Sequence, residues 1–173
     1  MDSVFVNRII RACKLDISLY EEVEADNSAT FQAALVVVLS SLAAGVGALS
    51  LGASNFLMAP ILSLVSWYVW AYLIYLIGAK LFPEPNTKAD HGQLLRTIGF
   101  SSAPGLIRVF GFTPEIMSIT FIGAGIWMFI AMIIAVRQAL DYQSTWRAVG
   151  VVVIGFLVQA IIFIIILRIF GPA

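Results

Sequence analysis

Catalysis needs side chains that trade protons, grip metals or attack electrophiles, and this chain holds few of them. Its one histidine is His91, beside Asp90 in a polar stretch, and its one cysteine is Cys13. A zinc site is built from several His, Cys or carboxylate ligands together, so a lone His91 makes no metal site and reads as a solvated loop residue. Cys13 has no second histidine to activate it as a nucleophile, and a single thiol makes no internal disulfide. No Asp or Glu falls inside an apolar run, which removes the parts for an intramembrane proton relay or a paired-carboxylate mechanism. There is no Gly-rich phosphate loop of the Walker type. The expectation is a protein that is not an enzyme, with no catalytic residue, no cofactor and no bound metal.

Three polar sets remain. Arg96 and Arg108, with Ser101 and Ser102, bracket Pro104-Gly105. Arginine grips phosphate bidentately, so Arg96 and Arg108 are candidate lipid-headgroup contacts; the plainer reading is that both anchor a short helix among headgroups. Gln159 lies mid-way along an apolar run and is a candidate interhelical hydrogen bond, worth about 0.6–2 kcal/mol in a membrane. The acidic run Glu21, Glu22, Glu24 and Asp26 is a candidate docking or partner-binding patch, with Arg96, Arg137 and Arg147 as its expected ion-pair partners.

The elements that must position these groups are membrane helices. Hydrophobic residues make up 61% of the 173 and charged residues 12%, against roughly 45–50% and 25% in soluble domains. A core this small cannot absorb the excess, so lipid must. Residues 31–51, 56–79, 116–136 and 148–168 are apolar runs long enough to cross a bilayer, which takes about 20 residues. Residues 94–112 are ambiguous: Pro104-Gly105 interrupts them, and they either span with both arginines snorkelling toward headgroups or form a re-entrant or interfacial segment. Within the first run, Ser40, Ala44, Ala48 and Gly52 share one face, the spacing that lets membrane helices approach closely. Gly52, Ser54 and Asn55 mark a turn. The second run carries Trp67, Tyr68, Trp70, Tyr72 and Tyr75 away from its start, so several of these rings face other helices.

Before the first run, Val6, Ile9, Ile10, Cys13, Ile17 and Tyr20 recur at helical spacing, with Asn7, Arg8, Arg11, Lys14 and Ser18 opposite. This predicts an amphipathic helix over residues 4–20, lying in the headgroup region or packed under the bundle. Ser18 to Glu21 has capping-box spacing, a place for the helix to break and restart. The first thirty residues contain no stretch resembling a signal peptide, and the N-terminus is expected to be retained.

Formal net charge is zero, with 10 Lys+Arg and 10 Asp+Glu, which supplies no basic field for nucleic acid. The positive-inside rule places the N-terminus in the cytoplasm. With five crossings, Arg8, Arg11, Lys14, Lys80, Lys88, Arg96, Arg137 and Arg147 lie inside, and Arg108 and Arg168 outside. With four, Arg108 and Arg168 exchange sides with Arg137 and Arg147, and the score is the same.

The order of the polar landmarks separates the two counts. Leu19 to Asp26, Gly92 to Phe100 with Ala103-Pro104, and Ala135 to Asp141 with Trp146-Arg147-Ala148 resemble, in order and spacing, the Yip domain family of Rab-GTPase-interacting membrane proteins in its bacterial form. The resemblance implies five helical spans with a cytoplasmic N-terminus. Eukaryotic relatives resemble adaptors in vesicle traffic; their longer N-terminal region and their Asp-Leu-Tyr-Gly-Pro motif do not occur here. The expectation is an all-α integral membrane bundle of the cell (inner or plasma) membrane, multi-pass, with residues 1–30 as a cytoplasmic interfacial segment and 31–173 as a five-span domain. It serves as a non-enzymatic scaffold or adaptor, or as an accessory subunit of a larger membrane complex. Its partners are membrane lipids and a protein partner or second copy within the membrane, with no nucleic acid. The competing reading is a small transporter, channel or lipid-moving protein, whose polar pathway would need Gln159, the Ser/Thr residues and the broken third segment.

Overall fold

The computed structural model describes residues 3–49 and 58–170, and all regular structure among them is helical. In chain order these are α1 (Ser3–Cys13), α2 (Ile17–Ala25), α3 (Ala29–Gly47), α4 (Ala59–Tyr75), α5 (His91–Phe100), α6 (Pro114–Ala139) and α7 (Thr145–Phe170). A π-helical turn, Leu76–Leu81, prolongs α4, and a 3₁₀ helix, Ala103–Phe110, follows α5. The Gly52-Ser54-Asn55 turn lies outside the described residues.

Four helices are long and apolar enough to cross a membrane: Ala29–Gly47, Ala59–Leu81, Pro114–Ala139 and Thr145–Ile165. No more than 33% of any of these windows is buried inside the protein. Ile119, Ile122 and Ile161 are among the large apolar side chains left exposed. Helices apolar on all sides need an apolar surround, and lipid supplies it.

The predicted helix over 4–20 is two helices. α1 closes at Leu15, which takes a left-handed φ of 60, while the Asp16 N–H reaches the Arg11 carbonyl at 3.1 Å. This is a closure usually given to glycine. Asp16 then caps α2 by accepting from the Ser18 N–H, so the restart signal is Asp16 and not the Ser18–Glu21 box. The inward face also differs. α1 turns Phe5, Arg8 and Ala12 into the protein and leaves Val4, Val6 and Ile10 exposed. Apolar spacing alone assigns Arg8 to the polar side; its carboxylate partners on α2 pull it inward.

The ambiguous segment is one broken element. A capping box starts α5: Asp90 Oδ1 accepts from the Gln93 N–H at 2.8 Å, and Gln93 Oε1 accepts from the Asp90 N–H at 2.6 Å. His91 therefore opens a helix instead of lying in a loop, edge-on to Tyr68 and Tyr72 with ring centroids 4.8 and 5.5 Å away. α5 ends at Phe100, and Pro104, which has no N–H to donate, sits in the first turn of the 3₁₀ helix.

This element runs beside α3 in the same direction. A methyl placed on Gly99 would lie 2.6 Å from Ala33 Cβ, one on Gly105 would collide with Ser40 Oγ, and one on Gly47 would collide with the Arg108 carbonyl. Small residues at successive levels bring the two backbones together. The buried stripe of α3 is Ala29, Ala33, Val36, Ser40, Ala43 and Gly47, displaced from the predicted Ser40, Ala44, Ala48 face, whose Gly52 is outside the described residues.

Two apolar clusters hold the bundle. Phe5, Leu19, Tyr20, Val23, Ala33 and Phe100 join α1 and α2 to α3 and α5. Trp70, Ile74, Leu94, Leu140 and Val152 join α4 and α5 to α6 and α7. Of the α4 aromatics, Trp70 is buried against Phe156, and Trp67 donates its indole N–H to the Leu95 carbonyl at 3.0 Å. Tyr68 and Tyr72 face outward.

Candidate functional site

The polar groups gather at the end of the bundle where α2 ends, α5 begins and α6 ends. Arg8 is the centre of a clasp between α1 and α2. Its guanidinium donates to Glu22 Oε1 at 2.8 Å, to Asp26 Oδ2 at 2.9 Å and to Gln32 Oε1 at 2.8 Å. Arg11 donates to Asp16 Oδ2 at 2.7 Å, to Ser18 Oγ and to Glu22 Oε2. The Arg11 guanidinium and the Ser18 hydroxyl hold the Asp16 carboxyl down to about 2. Glu22 is lowered by Arg11 and then Arg8, and Asp26 by the Ser28 hydroxyl and then Arg8.

The acidic run is thus divided between helices. Its ion pairs are with Arg8 and Arg11, not with the expected Arg96, Arg137 and Arg147. The reason is reach: α1 folds back on α2 through the Leu15 turn and sets its cations beside those carboxylates. Arg96 is buried and serves α2 differently. Its Nε donates to the Val23 carbonyl at 2.9 Å, and its Nη2 donates to the Glu24 carbonyl. These are orphan acceptors at a helix C-terminus, where a cation also suits the helix dipole. So placed, Arg96 does not face headgroups.

The other carboxylates of the run meet amides. Gln93 Nε2 donates to Glu24 Oε1 at 3.0 Å, and Gln138 Nε2 donates to Glu21 Oε1 at 2.9 Å. Arg137 donates to the carbonyls of Tyr142 and Gln143 beyond the end of α6, where Asp141 takes a left-handed φ of 53. Arg147 lies 3.6 Å from Glu84, and Tyr142 donates its hydroxyl to the Phe82 carbonyl at 2.7 Å. Arg8, Gln32, Gln93, Gln138, Glu84 and Tyr142 are contributors that sequence reasoning missed. The Asp90-to-Gln93 capping spacing was a readable signal for the α5 start; nothing local marks the others.

Between these elements lies a polar groove of about 440 Å³, lined by Glu21, Glu24, Gln93, Arg137, Gln138 and Asp141 among others. Burial, and then the neighbouring Asp141, push the Glu24 carboxyl up to about 7. The groove presents hydrogen-bonding groups of both charges, carboxylates from Glu21, Glu24 and Asp141 beside the Arg137 guanidinium and two amides.

Two predicted site residues lie elsewhere. Arg108 folds back across its own turn, its Nε donating to the Gly105 carbonyl at 3.0 Å and its Nη2 to Ser40 Oγ at 2.8 Å. Gln159 is exposed on α7 and makes no hydrogen bond to another helix among the described residues; it borders a cavity that Arg108 also lines.

No curated protein and no solved structure gives a significant match to this chain. The family model described as Yip1 domain matches residues 19–167. That range takes in all three polar stretches meeting at the clasp and groove, together with the four apolar helices. The chain therefore belongs to the Yip1 domain family of integral membrane proteins.

Proposed function

We propose that this protein is a non-enzymatic scaffold or adaptor in the cell membrane, working through the groove end of the bundle, which faces the cytoplasm. The observation that carries the reading is convergence. The stretches Leu19–Asp26, Gly92–Phe100 and Ala135–Asp141 are far apart in sequence, yet they meet through the Glu21–Gln138, Glu24–Gln93 and Arg96–Val23 bonds. They leave a recognition groove and exposed Glu21 and Asp141 side chains. A partner protein, including a larger membrane complex in which this chain is an accessory subunit, or a second copy, is the natural occupant of such a surface.

The same proposal includes five crossings. At about 1.5 Å per residue for α5 and 2.0 Å for the 3₁₀ helix, the broken element is about 31 Å long, and the hydrocarbon core is about 30 Å thick. Its contacts accompany α3 from Ala33 to Gly47, so an α3 that crosses takes this element across with it. α1, with Val4, Val6 and Ile10 outward, rests on the cytoplasmic membrane surface.

A photo-crosslinking amino acid at Asp141, in cells, tests the interaction, with the same group at lipid-facing Ile126 as control. The expected result is a discrete protein adduct from position 141 and none from 126. Adducts from 126 alone would transfer the interaction to the membrane-facing surface and overturn the reading.

A further inference from the structure

A second cavity, away from the groove, opens among α3, α4, the 3₁₀ helix, α6 and α7. Its volume is about 530 Å³, within the roughly 300–1,000 Å³ of small-ligand sites. One part of its wall is apolar: Trp67, Trp70, Met128, Met132 and Phe156. The other part carries Arg108 and serines, among them Ser40 and Ser66.

Arg108 is the unusual member. Its guanidinium meets Ser40, seven residues before the end of α3 at Gly47, so it reaches about 10 Å down the helix at 1.5 Å per residue. A charge at that depth in a membrane protein needs a partner. No carboxylate lies within ion-pair distance among the described residues; the guanidinium has the Gly105 carbonyl, Ser40 and the Phe121 ring, 5.7 Å from its centroid. A guanidinium has five N–H donors, and Nη1 donates to none of the described residues, whereas Nε and Nη2 are used. The buried indole N–H of Trp70 also has no acceptor among the described residues. Ser63 Oγ already donates to the Pro60 carbonyl. Among the described residues, the cavity therefore offers an unused Arg108 donor and a positive charge with no carboxylate partner, beside an apolar wall.

We propose that this cavity binds an anionic amphiphile, with its acidic head, a phosphate monoester or carboxylate, on Arg108 and Ser40 and its hydrocarbon chain along Trp67, Trp70 and Phe156. The ligand supplies the acceptor and the countercharge that the described residues do not. Gly105 is what permits the arrangement, since a Cβ there would press on Ser40 Oγ, and on Arg108 Nη2 at 2.6 Å.

The test uses the full chain in a neutral maltoside detergent, titrated with dodecyl phosphate, dodecanoate, dodecanol or inorganic phosphate, and reads tryptophan fluorescence and thermal midpoint. Dodecyl phosphate or dodecanoate is expected to shift both saturably, and dodecanol and inorganic phosphate at equal concentration to shift neither. Arg108→Gln is expected to weaken binding at least tenfold. Because that change also removes the bonds to Gly105 and Ser40, Ser63→Phe provides a second variant that fills the cavity and leaves Arg108 in place; it too is expected to abolish the response. Equal responses to inorganic phosphate would show a free-anion site and overturn the amphiphile. Equal responses to dodecanol, or full binding by a folded Ser63→Phe protein, would overturn the site.

Discussion

Replacing Arg8 by Met keeps most of the side chain's apolar bulk and removes its guanidinium. In the native protein that group makes three charge-assisted bonds, two to the carboxylates of Glu22 and Asp26 and one to the Gln32 amide oxygen. Such bonds contribute about 1.5–3 kcal/mol each. The sum is an upper bound, because the Glu22 and Asp26 side chains are 38% and 32% exposed and water re-solvates them when Arg8 leaves. A net loss of about 2–3 kcal/mol is expected, between a solvated surface pair and a fully buried one. Undocking of α1 from α2 then becomes roughly 30- to 160-fold more favourable, at 1.36 kcal/mol per tenfold. Hydrogen exchange of the peptide covering residues 3–13, on protein in detergent micelles, reads this local opening directly. Arg11→Met is the internal comparison: with its side chain 25% exposed against 8% for Arg8, it should accelerate exchange several-fold less. In a double-mutant cycle, Arg8→Met and Glu22→Gln should couple by about 1–2 kcal/mol. Exchange in α1 of the Arg8→Met protein within threefold of wild type would refute the clasp.

Three further outcomes follow from the structure. Glu22 and Asp26 titrate below their ordinary range, so their stabilisation of the clasp is present above the ordinary carboxylate range and is lost as pH falls through it. Glu24, raised to about 7, has the opposite sign: the protonated form is favoured, and stability falls as pH rises from its ordinary value near 4.5 through 7. Glu24→Gln should therefore raise stability at pH 8 by about 1–3 kcal/mol and flatten that limb of a thermal-midpoint-versus-pH curve. Gly99→Ala places a methyl 2.6 Å from Ala33 Cβ and 3.1 Å from its backbone; forcing α3 and α5 apart should cost about 1–3 kcal/mol, seen as a lower thermal midpoint with helix content unchanged.

Much of this architecture is written in local patterns. Four uncharged runs of membrane length determined four membrane helices, since no soluble fold could bury so much apolar surface. Pro104-Gly105 marked the break in the third segment, and Leu15-Asp16 lies inside the single helix that apolar spacing proposes, because a left-handed leucine leaves no local trace. The charged residues were legible as flanking the apolar runs, but their pairing was not. Arg8 and Lys14 look alike as cations on a helix, yet Arg8 is buried and Lys14 exposed. Only the folding of α1 back onto α2 decides which cation finds carboxylates within 3 Å. The same holds for Arg96, which meets backbone carbonyls at a helix end, and for Arg108, which meets a serine on α3. Hydrophobic periodicity acts along the chain and can be read there. An ion pair or a cavity depends on distances of a few ångströms between segments many residues apart, and those exist only once the helices have packed.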